Sequence, residues 1–171
     1  MIARTAQQSI ARTLESSFLK RKKMNSTVLN PIGVWTLIDS VEIDSQKGEI
    51  SRPRGRHPAG MLIYSAGGRM CAIVTAEGRK PLEDGSGAAD RSDYTERSAA
   101  LFHSLNSYAG TYAVNGSTIT HKVLVASNPA WIGTEQVRQF QCENDVLTVD
   151  ATITLPGKAA TKVRLTWQRA E

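Results

Sequence analysis

The residues of this chain that can do chemistry are polar side chains set among apolar neighbours in strand-like segments. His121 lies between Ile119 and Val123, and Arg138 stands in the middle of the segment 134–142. An imidazole moves protons near neutral pH, and a guanidinium binds carboxylate, phenolate or enolate oxygens. A charge inside a protein is costly unless it is paired. The two side chains therefore predict a polar spot within an apolar interior.

Further polar and aromatic residues extend this candidate site. The catalytic candidates are His121, Arg138, Tyr112 and Asp39. The ligand-binding candidates are Tyr108, Gln136, Phe140, Trp131, Tyr64 and Val123. Trp131 follows Pro129, so it either covers the mouth of a cavity or packs within its own loop. The alternative to chemistry is a structural network in which Arg138 pairs with Asp39 and His121 bonds to a tyrosine or to water.

The histidines and cysteines do not indicate a metal site or a disulfide framework. His57, His103 and His121 lack the spacing of metal ligands, as do Cys71 and Cys142. The chain has no glycine-rich phosphate loop between a strand and a helix. We therefore expect no metal and no cofactor.

The segment 108–125 predicts a β-hairpin that turns His121 inward. Asn115-Gly116 is a preferred two-residue hairpin loop, and as such it would place Gly110 opposite His121. Directly opposed residues share a face, and the glycine would leave room for the imidazole. The predicted interior face consists of Tyr108, Gly110, Tyr112, Ile119, His121, Val123 and Val125.

Alternation of apolar and polar residues predicts eight strands, with one short helix between the third and fourth. The strands are predicted at 32–44, 61–65, 70–76, 108–114, 117–125, 134–142, 146–153 and 162–169, and the helix at 93–106. Every link suits antiparallel neighbours, which favours an all-β, up-and-down barrel. A two-sheet sandwich is the alternative. The interior face of the second and third strands stays undecided, because both of their faces are apolar.

Link lengths and the first strand complete the expected cavity. In a meander the long links fall at one end and the tight turns at the other, which predicts an open mouth and a closed floor. In the first strand, alternation predicts one interior face, formed by Trp35, Leu37, Asp39, Val41 and Ile43. The arginines of the loops either draw an anionic ligand to the mouth or are only solvated; they are Arg52, Arg54, Arg56 and Arg79.

We expect two parts of the chain, an extension, 1–29, and a barrel domain, 30–171, and the net charge lies in the first. Before Met24 there are six basic residues and one acid, Glu15, so this segment carries the whole charge of +5 and the remainder is neutral. A neutral body argues against nucleic-acid binding, and no run is apolar enough to span a membrane. The extension has a helical, amphipathic pattern. We expect a cytoplasmic protein, or a mitochondrial one if 1–23 is a presequence.

Five segments after Asn30 resemble the short lipocalin-like domain proteins of bacteria and fungi. They are GVWTLIDSVE, HPAGMLIYSAGGRMCA, SYAGTYAVNGSTITHKV, NPAWIGTEQVRQF and LTWQR. Gly33-x-Trp35 with Arg169 near the end of the chain resembles the lipocalin pattern, which implies a cation–π plug in the floor. The resemblance implies a barrel with a ligand-sized cavity and fixes no activity. Some fungal members lie beside biosynthetic genes for specialised metabolites, where small barrel proteins can act as cyclases or isomerases.

Three functions follow as hypotheses. The first is binding of a small, mainly apolar organic molecule, such as a polyketide-like or terpenoid-like metabolite, at a His/Arg spot. The second is a cofactor-free cyclase or isomerase that uses acid–base chemistry on such a molecule. The third is a structural or interaction protein without a ligand, and a homodimer is left open. A cavity that reaches His121 would favour the first two, and a filled interior the third.

Overall fold

The computed structural model describes residues 30–79, 94–153 and 160–170. Its strands are β1 (Gly33–Asp44), β2 (Ile50–Ser51), β3 (Ala59–Tyr64), β4 (Arg69–Thr75), β5 (Leu105–Asn115), β6 (Thr118–Ala126), β7 (Glu135–Glu143), β8 (Val146–Ile153) and β9 (Thr161–Arg169). Helix α1 (Tyr94–His103) lies between β4 and β5, and a 3-10 turn (Pro129–Trp131) lies between β6 and β7. Within these ranges, no helix has both the length and the apolar character needed to cross a membrane.

The sheet closes on itself. Strand β1 and strands β3 to β9 pair antiparallel in chain order, and β1 also pairs with β9 from Trp35↔Arg169 to Asp44↔Thr161. Strand β2 adds two residues beside the mouth end of β1. The predicted eight-stranded antiparallel barrel with one short helix is therefore confirmed, and the sandwich is excluded. The predicted N-terminal helix lies outside the described residues.

The floor of the barrel is plugged around Trp35. The Arg169 guanidinium lies 4.1 Å from the centre of the indole ring, which confirms the expected cation–π contact. The indole Nε1 donates to Pro31 O at 2.8 Å, and Arg169 donates to Asp145 Oδ1 and Ile32 O, each at 2.8 Å. Above this plug lies a packed core that includes Met70, Ile119, Phe140, Leu147 and Trp167.

The hairpin of β5 and β6 turns one residue later than the sequence predicts. Asn115 pairs with Thr118, so Gly116 and Ser117 form the loop and Tyr112, not Gly110, stands opposite His121. Gly116 has a φ of 58°, which suits the glycine-first hairpin turn. The partner shifts by two residues, and side chains alternate with a period of two. The predicted register is therefore wrong, while His121 still points inward.

A β-bulge interrupts β5 and β6 above this point. Gly110 pairs with Val123, whereas Ala109 pairs with Val125, so Leu124 is the extra residue. Val125 is consequently 60% exposed, and its predicted interior position is wrong. A Cβ at Gly110 would collide with the carbonyl oxygen of Lys122. The glycine is thus required by the close approach of β6, and not by room for the imidazole.

A second bulge corrects the predicted face of β1. Leu37 pairs with Trp167 and Asp39 with Thr166, so Ile38 is the extra residue and is 49% exposed. Beyond it Ser40, not Asp39, shares the interior face and is fully buried. The interior position predicted for Asp39 is therefore wrong.

The faces of β3 and β4, left undecided by the sequence, are resolved by burial. Tyr64 and Leu62 of β3 point inward, and so do the alternate residues of β4, from Met70 to Val74. Met61 and Ile73 lie opposite each other on the outer face, where both are exposed. Tyr64 is therefore an interior tyrosine, which matters for the site described below.

Gly110→Ala tests the first bulge. The added methyl group meets backbone that a side-chain rotation cannot move, so we expect a loss of about 2 kcal/mol in the free energy of unfolding, measured in urea. Gly67→Ala is the matched control, since a Cβ there meets only Ser65 Oγ, at 3.9 Å. It should change stability by less than about 0.5 kcal/mol. Equal effects of the two variants would contradict the required close approach.

Candidate functional site

A cavity of about 390 Å³ lies inside the barrel above the packed floor. This volume falls within the range of small-molecule sites. Most of its wall is apolar, as at Leu62, Val74, Val149, Val163 and Leu165. The same wall carries a small set of polar side chains, namely Arg54, Tyr64, Asn106, Tyr108, His121, Gln136, Arg138 and Thr152.

The cavity lies toward the end of the barrel where the long links meet. Its wall includes Arg54 from the link between β2 and β3, Asn106 at the start of β5, Trp131 from the link between β6 and β7, and Ile153 at the end of β8. The tight turns lie at the opposite end, near the Trp35 plug. The described residues therefore place the cavity at the end of the long links and the packed floor at the end of the tight turns, as the link lengths predict.

His121 stands at the centre of the polar set and is held by two tyrosines. Tyr64 Oη lies 2.7 Å from its Nε2, and Tyr108 Oη lies 2.9 Å from its Nδ1. Tyr64 comes from the floor end of β3 and Tyr108 from near the mouth end of β5. The imidazole therefore connects a tyrosine near the floor with a tyrosine near the mouth. The imidazole is 1% exposed. We call these three residues the tyrosine–histidine chain.

Burial keeps every member of the tyrosine–histidine chain uncharged. Desolvation lowers the pKa of His121 from 6.5 to about 3, and the nearby positive charge of Arg138 adds to this effect. Desolvation likewise raises the pKa of Tyr64 and of Tyr108 above that of an ordinary phenol. His121 is therefore a neutral imidazole at physiological pH, with one nitrogen that donates and one that accepts.

The number of exchangeable protons in the tyrosine–histidine chain determines how many hydrogen bonds it can donate to a ligand. Two phenols and one neutral imidazole carry three exchangeable protons, and the two hydrogen bonds use two of them. One phenol hydrogen is left to point elsewhere. The imidazole tautomer decides whether Tyr64 or Tyr108 carries it, and both tyrosines border the cavity. The chain therefore presents one hydroxyl donor and can pass a proton between its ends.

Arg138 places a positive charge beside this chain. Its guanidinium donates to Gln136 Oε1 at 2.8 Å and to Val137 O at 3.0 Å. Gln136 lies directly opposite His121 in the ladder between β6 and β7, which brings the two strands' polar groups together. No ion pair joins Arg138 to a carboxylate in the described part of the chain. The guanidinium retains donor capacity for a ligand oxygen.

The remaining candidates divide between the cavity and its surroundings. Trp131 borders the cavity and packs edge-on against Tyr108, with ring centres 5.7 Å apart. Tyr112 faces His121 in the ladder, but its hydroxyl donates to Ser65 O at 2.8 Å, away from the cavity wall. Phe140 and Val123 are buried in the packed interior and do not border the cavity.

Asp39 is the candidate that the structure removes from the site. The bulge at Ile38 turns it outward, where it pairs with Arg52 at 3.3 Å and not with Arg138. The sequence did not single out Ser40 and Asn106. In the sequence, Arg54 is one of several loop arginines, and nothing in its position distinguishes it from Arg52. Their placement comes from a bulge and a loop that no local pattern specifies.

Together these features define a small, closed antiparallel β-barrel with a plugged floor and a ligand-sized internal cavity toward the opposite end. The family model of the lipocalin-like domain matches residues 32–170. The chain therefore belongs to the lipocalin-like domain family. Among curated proteins, no match to the chain is found.

The buried neutral imidazole makes the stability of the barrel dependent on pH. Below pH 6.5 the unfolded chain gains a proton on His121, while the folded protein holds the imidazole neutral down to about pH 3. The free energy of unfolding should therefore decrease as the pH is lowered through this window, by about 1.4 kcal/mol per pH unit from this group. Urea unfolding at pH 6.5 and pH 4.5 measures the slope.

The variant His121→Gln isolates this contribution, because a glutamine can still bond both tyrosines but does not titrate. Its loss of stability between the two pH values should be smaller than that of the wild type by about 2 to 3 kcal/mol. His57→Gln, which alters an exposed loop histidine, is the control and should keep the wild-type slope. A wild-type slope in His121→Gln would show that the imidazole is not held neutral.

Proposed function

We propose that the protein binds a small, mainly apolar organic molecule in the barrel cavity, through an oxygen-bearing group held at Arg138 and the tyrosine–histidine chain. The observation that carries this proposal is a cavity of about 390 Å³ whose apolar wall is interrupted by converging donors. Ligand sites commonly combine such a wall with a few oriented polar groups. A cavity that borders His121 also favours the two ligand hypotheses over a structural protein with a filled interior.

The polar groups of this spot restrict the chemistry of the bound oxygen. Arg138 is a pure donor, and the tyrosine–histidine chain has one hydroxyl proton to give. A ligand atom between them is therefore an acceptor, such as a carbonyl oxygen. The apolar body of the ligand would lie against Val74, Val163 and Leu165. Metabolites of polyketide or terpenoid type combine these two properties.

A cavity-filling substitution tests ligand binding. Ala151 borders the cavity on β8, so Ala151→Phe would place a ring in the space of the ligand. We expect the affinity for the neutral fluorophore N-phenylnaphthylamine to fall by about tenfold or more, since the variant removes both space and apolar contact. Fluorescence titration measures this change.

The matched control is Val137→Phe, which adds a ring at an exposed position on the outer face of β7. It should leave the affinity unchanged. Native mass spectrometry of the purified protein would identify any molecule that it carries. Unchanged binding in Ala151→Phe, or no binding by the wild type, would contradict the proposal.

A second candidate function is a cofactor-free isomerase or cyclase, and the tyrosine–histidine chain is the observation that favours it. With Nδ1 protonated, Tyr108 can give its hydroxyl proton to a ligand carbonyl and take the Nδ1 proton in return. The Tyr64 proton then passes to Nε2, and the Tyr64 oxygen accepts a proton from the carbon next to the carbonyl. The ligand becomes an enol, the imidazole changes tautomer, and no net charge develops. Arg138 would stabilise the oxygen as it gains negative charge.

Tyr108→Phe separates turnover from binding. In deuterium oxide, the relay would accelerate exchange of the α-hydrogens of β-tetralone, followed by nuclear magnetic resonance. Loss of the Tyr108 hydroxyl should slow this exchange by about a hundredfold, while fluorophore affinity changes little. Tyr112→Phe is the control, because that hydroxyl is bonded to Ser65 O instead. Equal exchange rates for the wild type and Tyr108→Phe would eliminate the relay as a catalyst.

A further inference from the structure

We infer that Arg54 forms a second, anion-binding subsite at the mouth of the cavity, so that the ligand is an amphipathic carboxylic acid. Its carboxylate would lie at Arg54, and its uncharged oxygen group at Arg138 and the tyrosine–histidine chain. This inference rests on the proposed binding function and names the class of ligand. It concerns a side chain from a loop, not from a strand.

Arg54 reaches across the mouth between two separated strands. Its Nη1 lies 3.5 Å from Ser40 Oγ of β1, and its Nη2 lies 2.6 Å from Asn106 Oδ1 of β5. The Asn106 amide is oriented so that its nitrogen also has an acceptor, Leu105 O at 3.2 Å. Strands β3 and β4 lie between β1 and β5 in the sheet. The guanidinium therefore stands over the cavity and borders it.

The loop that carries Arg54 is fixed by backbone contacts. The Glu77 carboxylate accepts from the amide of Arg56 at 2.7 Å and from that of His57 at 3.3 Å. The Glu77 amide donates to Arg54 O at 2.8 Å. The nearby carboxylate thus binds backbone and leaves the Arg54 side chain directed at neutral partners. A guanidinium held in place before the ligand arrives loses less conformational entropy on binding.

Within the described ranges, no carboxylate balances the positive charges of the cavity wall. Arg54 and Arg138 border the cavity, the described lining residues include no aspartate or glutamate, and His121 is neutral. In the described ranges neither arginine forms an ion pair, whereas Arg52, in the same loop as Arg54, pairs with Asp39. A ligand carboxylate would supply the missing negative charge through charge-assisted hydrogen bonds.

The position of the two arginines decides which of them takes the carboxylate. Arg54 stands at the mouth, where a bound carboxylate keeps part of its contact with water. Arg138 lies beside an uncharged chain of hydrogen bonds inside an apolar wall, where removing an ion from water is costly. The ligand is therefore oriented with its acid at the mouth and its carbonyl or hydroxyl group inside.

Competition between matched probes tests this orientation. Decanoate, methyl decanoate and decanol have similar apolar bodies and differ at the head group, and each can displace N-phenylnaphthylamine from the full-length protein. We expect the wild type to bind decanoate about tenfold more tightly than the ester or the alcohol. Arg54→Gln should remove this preference while leaving the affinity for decanol within about twofold.

Two further variants make the outcome decisive. Arg52→Gln removes a neighbouring loop charge that is paired outside the cavity, and it should keep the preference for decanoate. If Arg138→Gln and not Arg54→Gln removes the preference, the carboxylate binds inside and the inference is overturned while the binding function stands. If wild-type protein binds the three probes equally, the subsite does not exist. If the fluorophore does not bind to the wild-type protein at all, the proposed function itself fails.

Discussion

The ladder between β1 and β9 is the contact on which the rest of the structure depends. It closes the sheet, removes both exposed edges and makes an inside that side chains from all eight strands share. The same ladder ends at Trp35 and Arg169, so closure and the cation–π plug are set by one register. Because the tight turns also lie at this end, the core packs against the floor and the remaining interior near the long links becomes the cavity.

Within this closed barrel, two bulges decide which side chains reach the cavity. The extra residue at Ile38 turns Asp39 outward, where it pairs with Arg52, and Ser40 inward, where Arg54 contacts it. The extra residue at Leu124 turns Val125 outward and brings Ala126 opposite Tyr108, whose hydroxyl bonds the imidazole. The set of side chains inside the barrel therefore depends on backbone irregularity as well as on strand alternation.

Residue patterns predict the strands well and the site only in part. Alternation and turn residues locate all eight barrel strands, because each has one apolar and one polar face or a clear turn beside it. His121 and Arg138 stand out as polar side chains in apolar surroundings. Asp39 is also a polar residue among apolar neighbours, but it points outward. The bulge at Ile38 changes its face, and neither glycine nor proline marks that bulge in the sequence. The bond from Tyr64 to His121 joins residues 57 positions apart, on a strand whose two faces are equally apolar.

Charge and hydrogen bonding divide the cavity between two kinds of recognition. The tyrosine–histidine chain is neutral because all three groups are desolvated. The positive charge of Arg138 further disfavours a charged imidazole, whereas on the two phenols it only partly offsets the rise in pKa caused by burial. A neutral chain can donate a hydrogen bond to a charged or an uncharged acceptor, whereas a guanidinium group binds anionic acceptors more strongly. Placing one guanidinium against the neutral chain and another at the mouth separates these properties along the barrel axis. A molecule with one uncharged oxygen and one acid at opposite ends satisfies both, and a molecule that lacks either leaves one set of donors unpaired.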